Sequence, residues 1–162
     1  THRMHEIPLI GNRLSVLRQD FATQDNRDGW LASGSATVRH MLSPSLGVSA
    51  MAGFTVERTR ADRLDHNDFR VGIQLDKEWT GGLITSAFAS YETHRYLGPF
   101  IPETRTMRGD ARWSLGARLS HRSLSFAGFA PELKYEFTRQ HSNIGFYDYS
   151  SHDVGVTLTR RF

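Results

Sequence analysis

Val154-Gly155-Val156-Thr157-Leu158-Thr159-Arg160-Arg161-Phe162 closes the chain, and it alternates. Successive side chains of an extended strand point to opposite faces, so Val154, Val156 and Leu158 share one face and Gly155, Thr157 and Thr159 the other. A strand of about ten alternating residues is the unit of an outer-membrane barrel. With Phe162 ending it, the stretch reads as a closing strand, and Val154, Val156, Leu158 and Phe162 form a candidate barrel-assembly signal. Arg160 interrupts the apolar face, at a position where a long side chain can snorkel to the interface.

The same period runs back through the chain. Trp30–Leu42 sets Trp30, Ala32, Ala36, Val38 and Leu42 against Ser33, Ser35, Thr37 and Arg39. Leu46–Arg58, Phe69–Glu78, Arg105–Leu119 and Phe129–Thr138 alternate as clearly, Leu83–Tyr96 less so, and Arg13–Phe21 weakly. Strict alternation over such lengths predicts strands with one apolar face. The fold expected is all-β: an antiparallel transmembrane outer-membrane barrel occupying residues 1–162 as one unit, with residues 1–29 the weakest part. Eight strands are visible, either a complete small barrel or the C-terminal part of a larger one. A soluble sandwich or ligand-binding barrel would show the same alternation. It would not need long connections at one end only.

Ser43-Pro44-Ser45, Thr80-Gly81-Gly82 and a turn near His121–Ser123 read as short hairpin connections. Thr23–Gly29, Thr59–Asp68, Leu97–Thr104 and Gln140–Ser151 read as long ones. Bacterial barrels have short periplasmic turns and longer outer loops, so the alternation places both chain ends in the periplasm.

Composition is compatible with this reading. Only 38% of the 162 residues are hydrophobic, 11% are aromatic and fourteen are glycine. Mean hydropathy is −0.46, and no run approaches the roughly 20 apolar residues of a membrane helix. There is no cysteine, as in exported proteins that do without disulfides. Thr1–Glu6 is polar with no apolar stretch after it, so the chain reads as mature or as part of something longer. The net charge of +3 is spread over single bases rather than a Lys/Arg run, which argues against a nucleic-acid partner.

With the polar face inward, Arg39, Arg70, Arg108, Arg112, Arg118 and Lys134 meet Glu57, Asp76, Glu92, Asp110, Glu132 and Glu136. Opposite charges facing each other across strands stabilise a sheet. A tight hairpin centred on Arg122 predicts Arg108–Glu136, Asp110–Lys134 and Arg112–Glu132 as facing pairs, with Gly109 across from Tyr135. A hairpin through Gly81 predicts Arg70–Glu92.

The stretch Gly128-Phe129-Ala130-Pro131-Glu132-Leu133-Lys134-Tyr135-Glu136-Phe137-Thr138-Arg139-Gln140-His141-Ser142-Asn143-Ile144, then Tyr147-Asp148-Tyr149 and Arg160-Arg161-Phe162, resembles the C-terminal barrel of the surface lipoprotein assembly modifier (Slam) family. Trp30, Gly34, Gly81-Gly82 and Tyr96-Leu97-Gly98-Pro99 are similar to that family too. The resemblance implies an outer-membrane protein that helps lipoproteins or other passengers reach the cell surface. Outer-membrane lipid, the barrel-assembly machinery and a surface lipoprotein passenger are its implied partners. It further implies a periplasmic helical-repeat domain before a barrel of more than eight strands, so this chain would be the C-terminal part or a short relative. No cofactor is implied.

Other motifs carry less. His141-Ser142-Asn143 resembles the H-x-S-N pattern of small lipid A deacylases, but here His and Ser are adjacent and point to opposite faces of a strand, so loop structure and a non-enzymatic role are expected. Asp62, Asp65, His66 and Asp68 share one outer loop without the spacing of a calcium loop. His2, His5 and Glu6 sit in a polar terminus, and Arg108-Gly109-Asp110 lies within a strand rather than at a loop tip.

Overall fold

The computed structural model describes residues 8–101, 103–124 and 128–160. Eight strands form a single antiparallel sheet in chain order. They are β1 (Leu9–Gln19), β2 (Gly29–Ser43), β3 (Leu46–Thr59), β4 (His66–Glu78), β5 (Leu83–Ile101), β6 (Thr106–His121), β7 (Phe129–Ser142) and β8 (Tyr149–Arg160). Among the described residues no ladder joins β1 to β8, and these two strands are the edges of the sheet. The fold is all-β, as the alternation predicts.

The sheet curls. Thr37 and Arg39 on β2 and Ser151 and Asp153 on β8 line one cavity of about 720 Å³ together with residues from every strand between them. The concave side carries the polar residues. Gln140, Ser142, Asp110, Ser114 and Thr138 are buried there, whereas Ala130 is the buried apolar side chain among the described residues. The convex side carries Val38, Phe54, Phe69, Leu75, Trp113, Leu115 and Leu133, all substantially exposed. A water-soluble protein buries its large apolar side chains; this one is inverted.

Most strands run beyond their apolar alternation. β8 begins at Tyr149 rather than Val154, and β7 continues to Ser142 rather than Thr138. The added convex positions are Arg139, His141, Ser150 and His152, which are polar. Backbone pairing continues where the apolar band stops, so hydrophobicity alone marks the ends too early. Arg161 and Phe162 lie outside the described residues, as do His2, His5 and Glu6.

The β6–β7 register differs from the tight-hairpin expectation. Asp110 faces Ser142, Arg112 faces Gln140, Arg118 faces Lys134 and Ser120 faces Glu132. The pairs Asp110–Lys134, Arg112–Glu132 and Arg108–Glu136 are therefore not formed, and Gly109 faces Arg95 while Tyr135 faces Ala117. The cause is the connection. A 3-10 turn over Arg122–Leu124 follows β6, and the chain resumes at Gly128 with φ +80° before β7. The hairpin is thus wider than a turn at His121–Ser123. Conversely β5 extends to Ile101, which shortens the connection expected over Leu97–Thr104. The alternation of short and long connections holds elsewhere but not at these two.

Aromatic cover of bare backbone is found at other glycines. The Phe54 ring lies 2.6 Å from the position a Cβ would take on its convex-face partner Gly34. Phe88 lies over its concave-face partner Gly116, where a Cβ would also crowd the Tyr135 carbonyl at 2.9 Å.

Candidate functional site: the charged interior and its rim

The Gly81-Gly82 turn, with φ of +96° and +92°, sets the β4–β5 register and places Arg70 opposite Glu92. Only glycine adopts this backbone without strain. The Arg70 guanidinium lies 2.7 Å from Glu92, whose other neighbours are Arg112 at 3.7 Å and His94 at 3.7 Å. Arg112 in turn donates to Gln140 Oε1 at 2.7 and 3.0 Å. The network so crosses from β4 to β7. Deeper toward the short-turn end, Asp76 accepts from Ser86 at 2.6 Å and Gln74 at 2.8 Å and lies 3.7 Å from Arg39. Lys134 pairs along its own strand with Glu136 at 2.9 Å. Of the charges expected inside, Lys134 and Glu136 meet each other rather than partners on β6.

Two clusters went unread in the sequence. One joins His94 to Asp68 at 2.8 Å and His66 to Glu57 and Asp68 at 3.5 Å each. The direct β4–β5 pairing of Asp68 with His94 creates it. Of the loop acids whose spacing matches no calcium loop, Asp65 accepts from the Thr59 backbone N–H at 2.6 Å and its hydroxyl at 3.1 Å. Among the described residues no group of three or more His, Asp or Glu is arranged to hold a metal.

The second cluster closes the long-loop end. Arg108 donates to Asp110 at 2.6 Å and stacks on Tyr147 at 3.4 Å, with Tyr96 at 5.0 Å and Phe100 at 5.8 Å. Arg108 and Asp110 thus turn inward and engage each other, so the Arg108-Gly109-Asp110 run, which spells an adhesion tripeptide, does not present its charges at a loop tip. Asn143 donates to the Met107 carbonyl at 2.7 Å and accepts from the Gly109 N–H at 2.8 Å, so the motif residue pins the last loop to β6. Ser142 is buried on the concave face, while His141 is exposed on the convex face and 3.4 Å from Asp148. Both belong to the end of β7 rather than to a loop, and the strand separates base from hydroxyl.

The long loops are built alike. The loops after β1, β3 and β7 each hold a 3-10 turn followed by an aspartate whose carboxylate accepts a backbone N–H from at or just beyond the end of the preceding strand: Asp28 from Phe21, Asp65 from Thr59 and Asp148 from Ser142. Neighbouring elements then bond across the rim, Arg60 N–H to the Asp28 carbonyl of the preceding loop at 2.9 Å and Leu97 N–H of β5 to the Asp65 carbonyl at 2.9 Å. The rim is knit rather than loose. Gly98 is buried under the Asp62–Arg63 backbone, with no room for a Cβ. Gly98→Ala should destabilise the protein by about 2 kcal/mol through overpacking and expose the 60–65 loop to protease. Unchanged unfolding and nicking would contradict the contact.

The family profile described as surface lipoprotein assembly modifier matches residues 12–162. The chain is 34% identical over 88 residues to surface lipoprotein assembly modifier 2 of Neisseria meningitidis serogroup B, a match covering 53% of this chain and 17% of that protein. It is 26% identical over 103 residues to the surface lipoprotein assembly modifier of Pasteurella multocida, covering 57% of this chain and 20% of that one. The chain therefore spans about a fifth or less of these relatives. No solved structure matches. With Gly34, Gly81-Gly82, Gly98 and Asn143 each holding a turn or close contact in an inverted, polar-centred sheet, and the profile running from β1 to the last residue, the chain belongs to the surface lipoprotein assembly modifier family.

Proposed function

We propose that this chain supplies the C-terminal strands of an outer-membrane barrel through which, or beside which, a lipoprotein passenger reaches the cell surface. The inverted distribution of apolar and polar side chains carries the reading. Val154, Val156 and Leu158 are 69–74% exposed while Gln140 is 2% exposed, an arrangement that is stable only with hydrocarbon outside and water or polar protein within. In hydrocarbon every backbone group needs a partner, so the free edges of β1 and β8 pair with further strands of the full-length protein. The short share of the relatives' length that this chain covers supports that arrangement. Both ends of the segment then face the periplasm, and the barrel-assembly machinery inserts it, with Val154, Val156, Leu158 and Phe162 as the recognised terminus.

A non-enzymatic role fits the placement of His141 and Ser142 on opposite faces, since a base must reach the hydroxyl it activates. The test is protease shaving of cells that carry or lack the full-length protein. Passenger exposure should fall to background without it and be restored by wild type, His141→Ala and Ser142→Ala alike. Lipid A deacylation lost in either variant, with display unaffected, would overturn the reading.

A further inference from the structure

The convex face of the sheet is charged in one sign only. Every strand acid among the described residues, from Glu57 and Asp68 on β3 and β4 to Asp153 on β8, occupies a concave position in the ladders. The convex positions instead hold Arg18, Arg58, Arg95 and Arg139 in the half toward the long loops, and Lys77 toward the short turns. Between these ends the convex residues are apolar or uncharged, for example Val38, Ala50, Ile73, Ala89, Leu115 and Phe137 along one row. An arginine facing lipid is costly at mid-depth and nearly free at the interface. Arg18 and Arg58 share the outermost convex row of the ladders, Arg95 lies in the next and Arg139 two rows further; with no carboxylate on the same face of any strand, they call for an anionic surrounding.

The most built part of this girdle lies on β1–β3. Arg18, Trp30 and Arg58 stand side by side in one row, so the backbones of the two arginines lie on either side of Trp30, about 10 Å apart at the usual strand spacing. They line a groove of about 420 Å³ that Arg60 also enters. Arg58 is held in place by its own donors, to the Glu57 carbonyl at 2.7 Å, the His66 carbonyl at 3.2 Å and Asn67 Oδ1 at 2.8 Å. A guanidinium has five N–H donors, so others remain for a ligand. Asp20 sits 3.5 Å from Arg18 and Asp28 3.2 Å from Arg60; both acids come from the loop, not from the strand face. Trp30 is 45% exposed, and a ring of this kind rests at the level of lipid headgroups.

We infer that the convex arginine girdle, centred on the Arg18–Trp30–Arg58 groove, binds phosphate groups of membrane lipid at the long-loop interface. The inference rests on the barrel reading above. The planar fork of arginine matches phosphate oxygens in bidentate fashion, while the apolar row beneath it receives the acyl chains. The ligand is thus a phosphorylated amphiphile, with free phosphate lacking the second half of the contact.

The full-length protein would be reconstituted in phosphatidylcholine nanodiscs doped with diphosphoryl lipid A, and retained lipid counted by native mass spectrometry. Wild type should retain diphosphoryl lipid A over its dephosphorylated form with the same acyl chains. R18Q/R58Q should lower that retention roughly tenfold while keeping the wild-type circular dichroism spectrum, and millimolar inorganic phosphate should not displace the lipid. Equal retention of the two lipids, or by wild type and variant, overturns the inference while leaving the barrel reading intact. Displacement by free phosphate overturns the lipid assignment. Failure of the wild type to resist alkaline extraction from bilayers overturns the barrel reading and the inference with it.

Discussion

Arg108→Ala is expected to cost about 3 kcal/mol. The Arg108 side chain is 13% exposed and that of Asp110 2% exposed, so removing the cation strands a buried carboxylate, and breaking such a pair from one side is worth about 3–5 kcal/mol. The stack on Tyr147, Tyr96 and Phe100 is lost at the same time. The 143–148 loop would then be held to β6 chiefly by Asn143, and limited proteolysis should cut it first. Arg108→Met with Asp110→Asn should recover most of the loss, because removing both charges leaves nothing unpaired. Arg108→Lys keeps the charge but not the planar stacking and should fall between. Equilibrium urea unfolding of the folded protein in lipid vesicles measures all three. A double variant as unstable as Arg108→Ala would show that stacking, rather than the stranded carboxylate, carries the energy.

Leu115→Arg is the second large effect and tests which solvent lies outside. Leu115 is 51% exposed on the convex face, facing Ala89 on one side and Phe137 on the other. In a bilayer an arginine at mid-depth costs about 2–4 kcal/mol. In water the same surface substitution would be near neutral. Gln74→Arg, one step to the concave side of β4 beside Asp76, should cost under about 1 kcal/mol in either solvent because the cavity admits water. Unfolding free energies of the two variants in vesicles should differ accordingly. Equal, small costs would place water against the convex face and remove the barrel reading.

How much of this was written in the chain depends on the kind of question. Which side chains share a face was legible, because a period of two needs only counting; Arg112 and Glu136 lie inside and Trp113 and Leu115 outside whichever residue the hairpin turns on. The partner of each residue was not legible in the same way. Sliding β7 along β6 by an even number of residues leaves every face unchanged, so alternation cannot fix register, and the connection must do it. At Gly81-Gly82 the turn is marked by glycine and the Arg70–Glu92 pair follows from it. After His121 nothing marks the turn until Gly128, and the pairs expected around Arg122 do not form.

The rim was hidden for a different reason. Arg108 meets Tyr96 from the strand before it and Tyr147 from the loop beyond the next strand, and Gly98 on β5 meets Asp62 in the loop between β3 and β4. No local pattern encodes contacts between loops that are brought together only when the sheet curls. The sequence by itself determined an all-β chain with an apolar and a charged face, since strand geometry enforces alternation one residue at a time. The tertiary structure alone decided which charges meet and how the rim is closed, since both depend on the length of one turn and on the curvature of the whole sheet.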